Sequence, residues 1–199
     1  MTKSGPPDLD EFGIYDGISE TIVTTMQGWS PNAAPIGIIR KGDRIFIRLF
    51  KGSTTYHNVQ SEGFLVANVV NDPVILVRST FSNLNQTDFN FANVGGREVP
   101  VLNKALSWVV FEYLDMKVTE ETLVVELKPL HAHINQCIVK APNRGFNAVI
   151  EAAVHATRYR ISGDEKYLKL IRAYSAIVSK CGGEQEKNAI SILLKFMGK

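Results

Sequence analysis

Between residues 15 and 139, short runs of Val, Ile, Thr and Phe alternate with turn residues, a pattern that predicts strands. The runs cover 22–26, 34–40, 45–50, 64–70 and 74–80, then 108–117, 123–127 and a last one at 131–139. Lys41-Gly42-Asp43 reads as a tight reversal and Thr119-Glu120-Glu121 as a polar turn. Residues 54–61 break the alternation and predict a short helix between strands. Closely spaced strands with short connections favour a barrel over a parallel sheet.

From Asn143 the period changes to that of a helix. Phe146, Val149, Ile150, Ala153, Val154, Thr157 and Ile161 mark one face, with Asn143 as N-cap. Ser162-Gly163-Asp164-Glu165 has the spacing of a capping box for a second helix, which turns Leu168, Ile171, Tyr174 and Val178 inward. Gly182-Gly183 ends it, and a third helix presents Ile190, Leu193, Leu194 and Met197. The predicted organisation is mainly β with α, a β unit over 1–140 and a three-helix unit over 141–199. Residues 81–106 fit neither period. Crowded with Asn and Phe, they read as a long insertion packed through Phe81, Phe89 and Phe91 as a lid, with disorder as the alternative.

Composition narrows the function classes. At 199 residues and 45% hydrophobic, the chain can bury a core of its own. A net charge of +2 makes no whole-molecule case for nucleic acid. The charge is uneven, −3 over residues 1–140 and +5 over 141–199, but solvated Lys and Arg on helix faces account for that. Cys137 and Cys181 have neither metal nor redox spacing and read as thiols of a reducing compartment. The opening MTKSGPPDLDEFG is too polar for a signal peptide, and no apolar run approaches a membrane span. A cytoplasmic protein is expected.

Two segments carry the candidate chemistry. Lys51-Gly52-Ser53-Thr54-Thr55-Tyr56-His57-Asn58 concentrates donors where a strand gives way to a helix. A phosphate monoester needs such a set: free backbone amides at a helix start, hydroxyls, one cation, and a glycine to let the main chain approach. The competing reading is that Ser53 or Thr54 only caps the helix. It is no Walker loop, because the GxxxxGK[ST] spacing is absent. The second segment, Asn32-Ala33-Ala34-Pro35-Ile36-Gly37, is a strand of small residues with a proline. Such a strand suits either a flat ligand lying against main chain or an edge protected by proline. Together the segments point to a phosphate-bearing planar cofactor.

The order of these motifs is distinctive. ETIVTT, PNAAPIG, LFKGSTTYHNV, GFLVANV and Asn71-Asp72-Pro73 follow one another in the way that resembles the FMN-binding split-barrel superfamily, relatives of flavin reductases and pyridoxamine-phosphate oxidases. Val99-Pro100-Val101-Leu102, Ala105 with Trp108, Asn143-Arg144, Ile150-Glu151-Ala152 and Thr157-Arg158 are similar to a largely archaeal branch with a C-terminal helical extension. The resemblance implies a split β-barrel and a homodimer holding FMN near the subunit interface. It implies that Lys51, Gly52, Ser53, Thr54 and Thr55 bind the phosphate, with Asn58 nearby. It further implies that Asn32, Ala34, Pro35 and Ile36 meet the isoalloxazine. No basic residues match those that pyridoxamine-phosphate oxidases use on their substrate, so that reaction is not expected. Hydride transfer from NADH or NADPH is the implied chemistry, with a non-catalytic FMN carrier, store or sensor as the alternative.

Other chemistries have less support. His131 and His133 share one face of a strand, yet nothing in the sequence brings a third ligand to them, so no metal site is expected. His57 lies in the phosphate segment, where it suits a hydrogen bond to the ligand or a helix surface equally. A nucleophile elbow, GxSxG, is absent. Nucleic-acid binding through the basic tail is disfavoured, because its aromatics are not interleaved with the cations.

Overall fold

The computed structural model describes residues 6–198, so the first five residues of the polar opening lie outside it. Two compact units emerge. One takes the chain to Asn71 together with Leu84–Ile138; the other takes Asp72–Asn83 and the chain from Val139.

The first unit is a closed antiparallel barrel of six strands. These are β1 (Gly17–Gln27), β2 (Ser30–Lys41), β3 (Arg44–Phe50), β4 (Phe64–Val69), β7 (Ser107–Val118) and β8 (Thr122–Ile134), in the order β1-β2-β3-β8-β7-β4. Antiparallel neighbours need only tight turns, and glycine supplies them. Gly28 and Gly42, both at φ 57°, are the first of two turn residues in the β1–β2 and β2–β3 hairpins, a left-handed position that favours glycine. Alternate side chains fill the interior: Val23, Ile38, Ile47, Leu65, Val109, Phe111, Leu123 and Val125 are buried in one cluster. Each such side chain contributes about 1.5–3 kcal/mol when withdrawn from water. Val59 and Tyr56 of α1 (Thr54–Glu62) join that cluster, so the predicted short helix covers the end of the barrel where β4 begins.

Closure is uneven, and this positions the candidate site. β2 pairs with β1 along its whole length, but with β3 only over Ile39–Lys41. Among the described residues, the other edge of β2 over 30–38 therefore has no strand beside it.

Three expectations are overturned here. Residues 74–80 are not a strand but lie in α2 (Pro73–Phe81). The Asp72 carboxylate accepts from the amides of Val74 (2.9 Å) and Ile75 (3.2 Å), and Pro73 occupies the first turn. That start signal outweighs the β propensity of Val74, Ile75 and Val77. Residues 81–106 are not an irregular insertion either: within them β5 (Phe89–Val94) and β6 (Arg97–Leu102) form a hairpin around Gly95-Gly96. The hairpin is fastened to the barrel's outer face by Asn68, whose buried amide oxygen accepts from Leu102 N at 2.9 Å while its nitrogen donates to Thr24 Oγ1 at 3.0 Å. The last two predicted runs, 123–127 and 131–139, are in fact the single strand β8, which ends at Ile134.

The second unit holds α2, α3 (Arg144–Ser162), α4 (Glu165–Cys181) and α5 (Glu184–Phe196). Asn143 caps α3 as expected, accepting from Gly145 N at 2.7 Å. The predicted capping box does not form. Ser162 is the last residue of α3, Gly163 turns the chain at φ 67°, and Asp164 caps α4 through Lys166 N at 2.9 Å. The inner face of α3 is also displaced from the expected one: Ala148, Val149, Ala152, Ala153 and Ala156 are buried, whereas Ile161 is exposed. Small residues there let helices approach closely. A Cβ on Gly145 would lie 2.5 Å from the Cα of Gly182. α2 packs on α3 and α5, with Phe81 stacked on Phe196 at 5.6 Å. Among the described residues, no helix is long and apolar enough to cross a membrane.

Candidate functional site

The chain leaves β3 at Phe50 and enters α1 through Lys51, Gly52 and Ser53. Gly52 sits at φ 79°, a left-handed conformation, and open space surrounds its missing side chain. Ser53 is the N-cap: its Oγ accepts from Tyr56 N at 3.2 Å and its carbonyl from His57 N at 3.2 Å. The cap reading is therefore correct for Ser53, yet it does not exhaust the group, because the hydroxyl proton is still free to be donated. The amides of Thr54 and Thr55 have no acceptor one turn back, as for any helix start. No acidic residue occupies the first turn, and Lys51, Gly52 and Thr54 are exposed. Backbone amides, hydroxyls and one lysine therefore stand together at a helix start, a combination an anion favours.

Behind it, two amide–hydroxyl bonds bolt α1 to the β1–β2 hairpin. Asn32 Nδ2 donates to Thr55 Oγ1 at 3.0 Å, and Asn58 Nδ2 donates to Thr25 Oγ1 at 3.0 Å. Thr25 and Asn32 face each other across the two strands. Thr55 is only 2% exposed and Asn58 only 1%. Thr55 thus accepts from Asn32 and keeps its own proton for another acceptor. Asn58 Oδ1 is buried without a hydrogen-bond partner among the described residues. Leaving such an acceptor dry costs on the order of 1–3 kcal/mol.

Asn32 also ties this helix start to the open edge of β2. Ala34, Pro35 and Ile36 are half-buried along that edge. Ile36 has its carbonyl engaged by Thr21 Oγ1 at 2.9 Å. Their side chains alternate between faces. What they present jointly is therefore main chain and small surface beside an unpaired edge.

All ten residues singled out in the sequence fall on these two adjoining pieces, α1 with its approach and the free stretch of β2. Thr25 was not singled out, although it anchors Asn58. The sequence shows Thr24-Thr25 at the end of a strand, but only the strand register reveals which hydroxyl meets α1. His57 lies exposed on α1, one turn after Ser53, and the other three histidines lie elsewhere. His131 and His133 flank Trp108, with ring centroids 5.5 and 5.6 Å away. His155, 8% exposed, is stacked between Tyr167 and Tyr174 in the helical unit. Among the described residues, no three of His, Cys, Asp and Glu come together as metal ligands.

Known proteins resemble this chain at several levels. The uncharacterized protein MJ1453 of Methanocaldococcus jannaschii is 26% identical over 193 residues, covering 89% of this chain and 97% of that protein. A solved structure from Methanosarcina mazei, the FMN-bound protein MM1853, is 51% identical with a TM-score of 0.91, covering 95% of this chain and all of that one. An FMN-binding protein from Thermus thermophilus matches at a TM-score of 0.51 and 10% identity, over 72% of this chain and 86% of that one, a likeness of fold alone. Family models cover most of the length: the one described as "Protein of unknown function (DUF447) N-terminal domain" matches residues 19–136, and its companion matches 143–195. A split-barrel fold with a helical extension, those two family matches and the close likeness to the M. mazei structure place the chain as a member of the DUF447 family.

Proposed function

We propose that this protein binds FMN, works as a cytoplasmic homodimer, and exchanges hydride with NADH or NADPH as flavin reductases do. The observation that carries the binding step is the 3.0 Å bond from Asn32 to Thr55, which joins a donor-rich helix start to a strand edge with no partner strand. FMN has the same two-part shape, a dianionic phosphate and a flat ring with a polar rim. The residues present fit it. Lys51, Gly52, Ser53 and Thr54 supply charge, amides and hydroxyls to the phosphate, with the free protons of Thr55 behind them. Asn58, buried behind the turn, holds α1 to the β1–β2 hairpin through Thr25. Asn32, Ala34, Pro35 and Ile36 bring main chain to the ring's rim, where an unpaired N–H or C=O finds a partner that the barrel does not provide. The FMN-bound M. mazei protein supports the same ligand for this chain.

When bound, FMN supplies two-electron chemistry, and the chain's part is to hold, orient and shield it. The site needs no general acid or base for hydride transfer, and apart from Lys51 the ten residues contain none. That same composition favours a second reading, a carrier, store or sensor of FMN without turnover. Steady-state oxidation of NADH and NADPH by the FMN-loaded protein, with free flavin as acceptor, separates the two. Saturable turnover with either nicotinamide supports the reductase; stoichiometric FMN without turnover supports the carrier.

A further inference from the structure

A second concavity lies away from the residues assigned to FMN. It is a groove of about 530 Å³ between the tip of the β5–β6 hairpin and the outer faces of β4, β7 and β8. Its β4 wall starts at the far end of α1 from the phosphate-binding turn, about 13 Å along the helix at ~1.5 Å per residue. The volume falls within the range of small-molecule sites. Three buried side chains, Phe64, Val99 and Val110, give it an apolar floor. Above the floor sits Arg97, its guanidinium carbon 4.6 Å from the centre of the Phe64 ring. Among the described residues Arg97 has no carboxylate partner. The carboxylate on the rim, Glu112, is already neutralised by Lys128 at 3.1 Å. His131, also on the rim, is held in place against Trp108.

We propose that this groove binds a small organic carboxylate with an aromatic or aliphatic body. Stacking on Phe64 fixes the guanidinium plane, so less side-chain freedom is lost when its fork meets a carboxylate. The floor takes the apolar body, and a neutral isostere would forfeit the charge-assisted pair. The guanidinium repels a second cation, and to a neutral carbonyl it gives hydrogen bonds without the ion pair.

The test uses FMN-loaded, isotope-labelled protein titrated with benzoate and with benzamide and followed by amide NMR shifts. Expected are saturable benzoate shifts confined to the neighbourhood of Val94, Arg97, Val99 and His131, with benzamide about ten- to a hundredfold weaker. Arg97→Gln weakens benzoate by a similar factor, Arg97→Lys falls between, and neither changes FMN content. Because Arg97 is exposed, both variants fold. Equal binding of benzamide, unsaturable shifts, or an Arg97→Gln protein that binds benzoate as the parent does would each overturn the proposal. Loss of FMN from Arg97→Gln would overturn it differently, by making the groove part of the flavin pocket.

Discussion

Thr54 is the residue whose replacement speaks most cleanly to phosphate binding. It is exposed and makes no bond on which the fold depends, so Thr54→Ala should leave the melting temperature unchanged. It should weaken FMN about tenfold, the value of one hydrogen bond to a charged group, and leave riboflavin as it was. Equal losses for both ligands in a fluorescence titration would count against the site. Lys51→Glu should all but abolish FMN binding in a protein that still folds. Asn32→Ala is a different kind of change. Without its bond to Thr55, α1 loses one of two ties to the hairpin, so calorimetry should show a loss of about 1 kcal/mol along with weaker binding of both flavins. The sequence displayed the donors themselves plainly, because Lys-Gly-Ser-Thr-Thr is local chemistry. It could not display that Thr55 and Asn58 are buried and bolted to Asn32 and Thr25, since those bonds cross 23 and 33 residues.

At the scale of elements, local signals competed and the stronger one decided. The run Val74-Ile75-Leu76-Val77 is as β-prone as any in the chain, yet Asp72 and Pro73 start a helix there. Asp72→Ala should lower stability by about 1 kcal/mol in chemical unfolding, because two orphan amides lose their acceptor; no change would mean that packing alone holds α2. The β5–β6 hairpin was illegible for another reason. Its first strand mixes Phe with Asn, its second carries a proline, and it is anchored by a buried asparagine on β4, a tertiary bond with no sequence period. The close contact of α3 and α4 was likewise hidden. Gly145→Ala would push a methyl into the Gly182 backbone, and a loss of about 1–3 kcal/mol is expected from thermal unfolding. Between β3 and β8, Arg44 hydrogen-bonds Glu126 and holds its carboxyl below the ordinary range. A depressed carboxylate contributes at neutral pH and stops contributing as pH falls through its folded value. The stability difference between the parent and Arg44→Gln should therefore shrink to nothing in acid, and it should be small throughout because the pair is exposed.

For the whole molecule, the change of hydrophobic period near residue 143 marks where the chain passes from its last strand to its last three helices. The sequence did not carry the excursion that lends residues 72–83 to the helical unit, which depends on contacts far apart in the chain. It also could not show that β2 pairs with β3 only over Ile39–Lys41, since an unpaired edge is a property of registers. On the proposed reading, the unpaired stretch of β2 is where the flat ring of the cofactor lies. A ligand bound only by the native state raises stability by mass action, so saturating FMN should raise the melting temperature and riboflavin should raise it far less. The most direct measurement is equilibrium titration of the flavin-free protein with FMN and with riboflavin, followed by flavin fluorescence. Anchoring through the phosphate at the start of α1 predicts one FMN per chain, bound at least about a hundredfold more tightly than riboflavin. Equal affinities for the two flavins, or no binding of FMN, would contradict it.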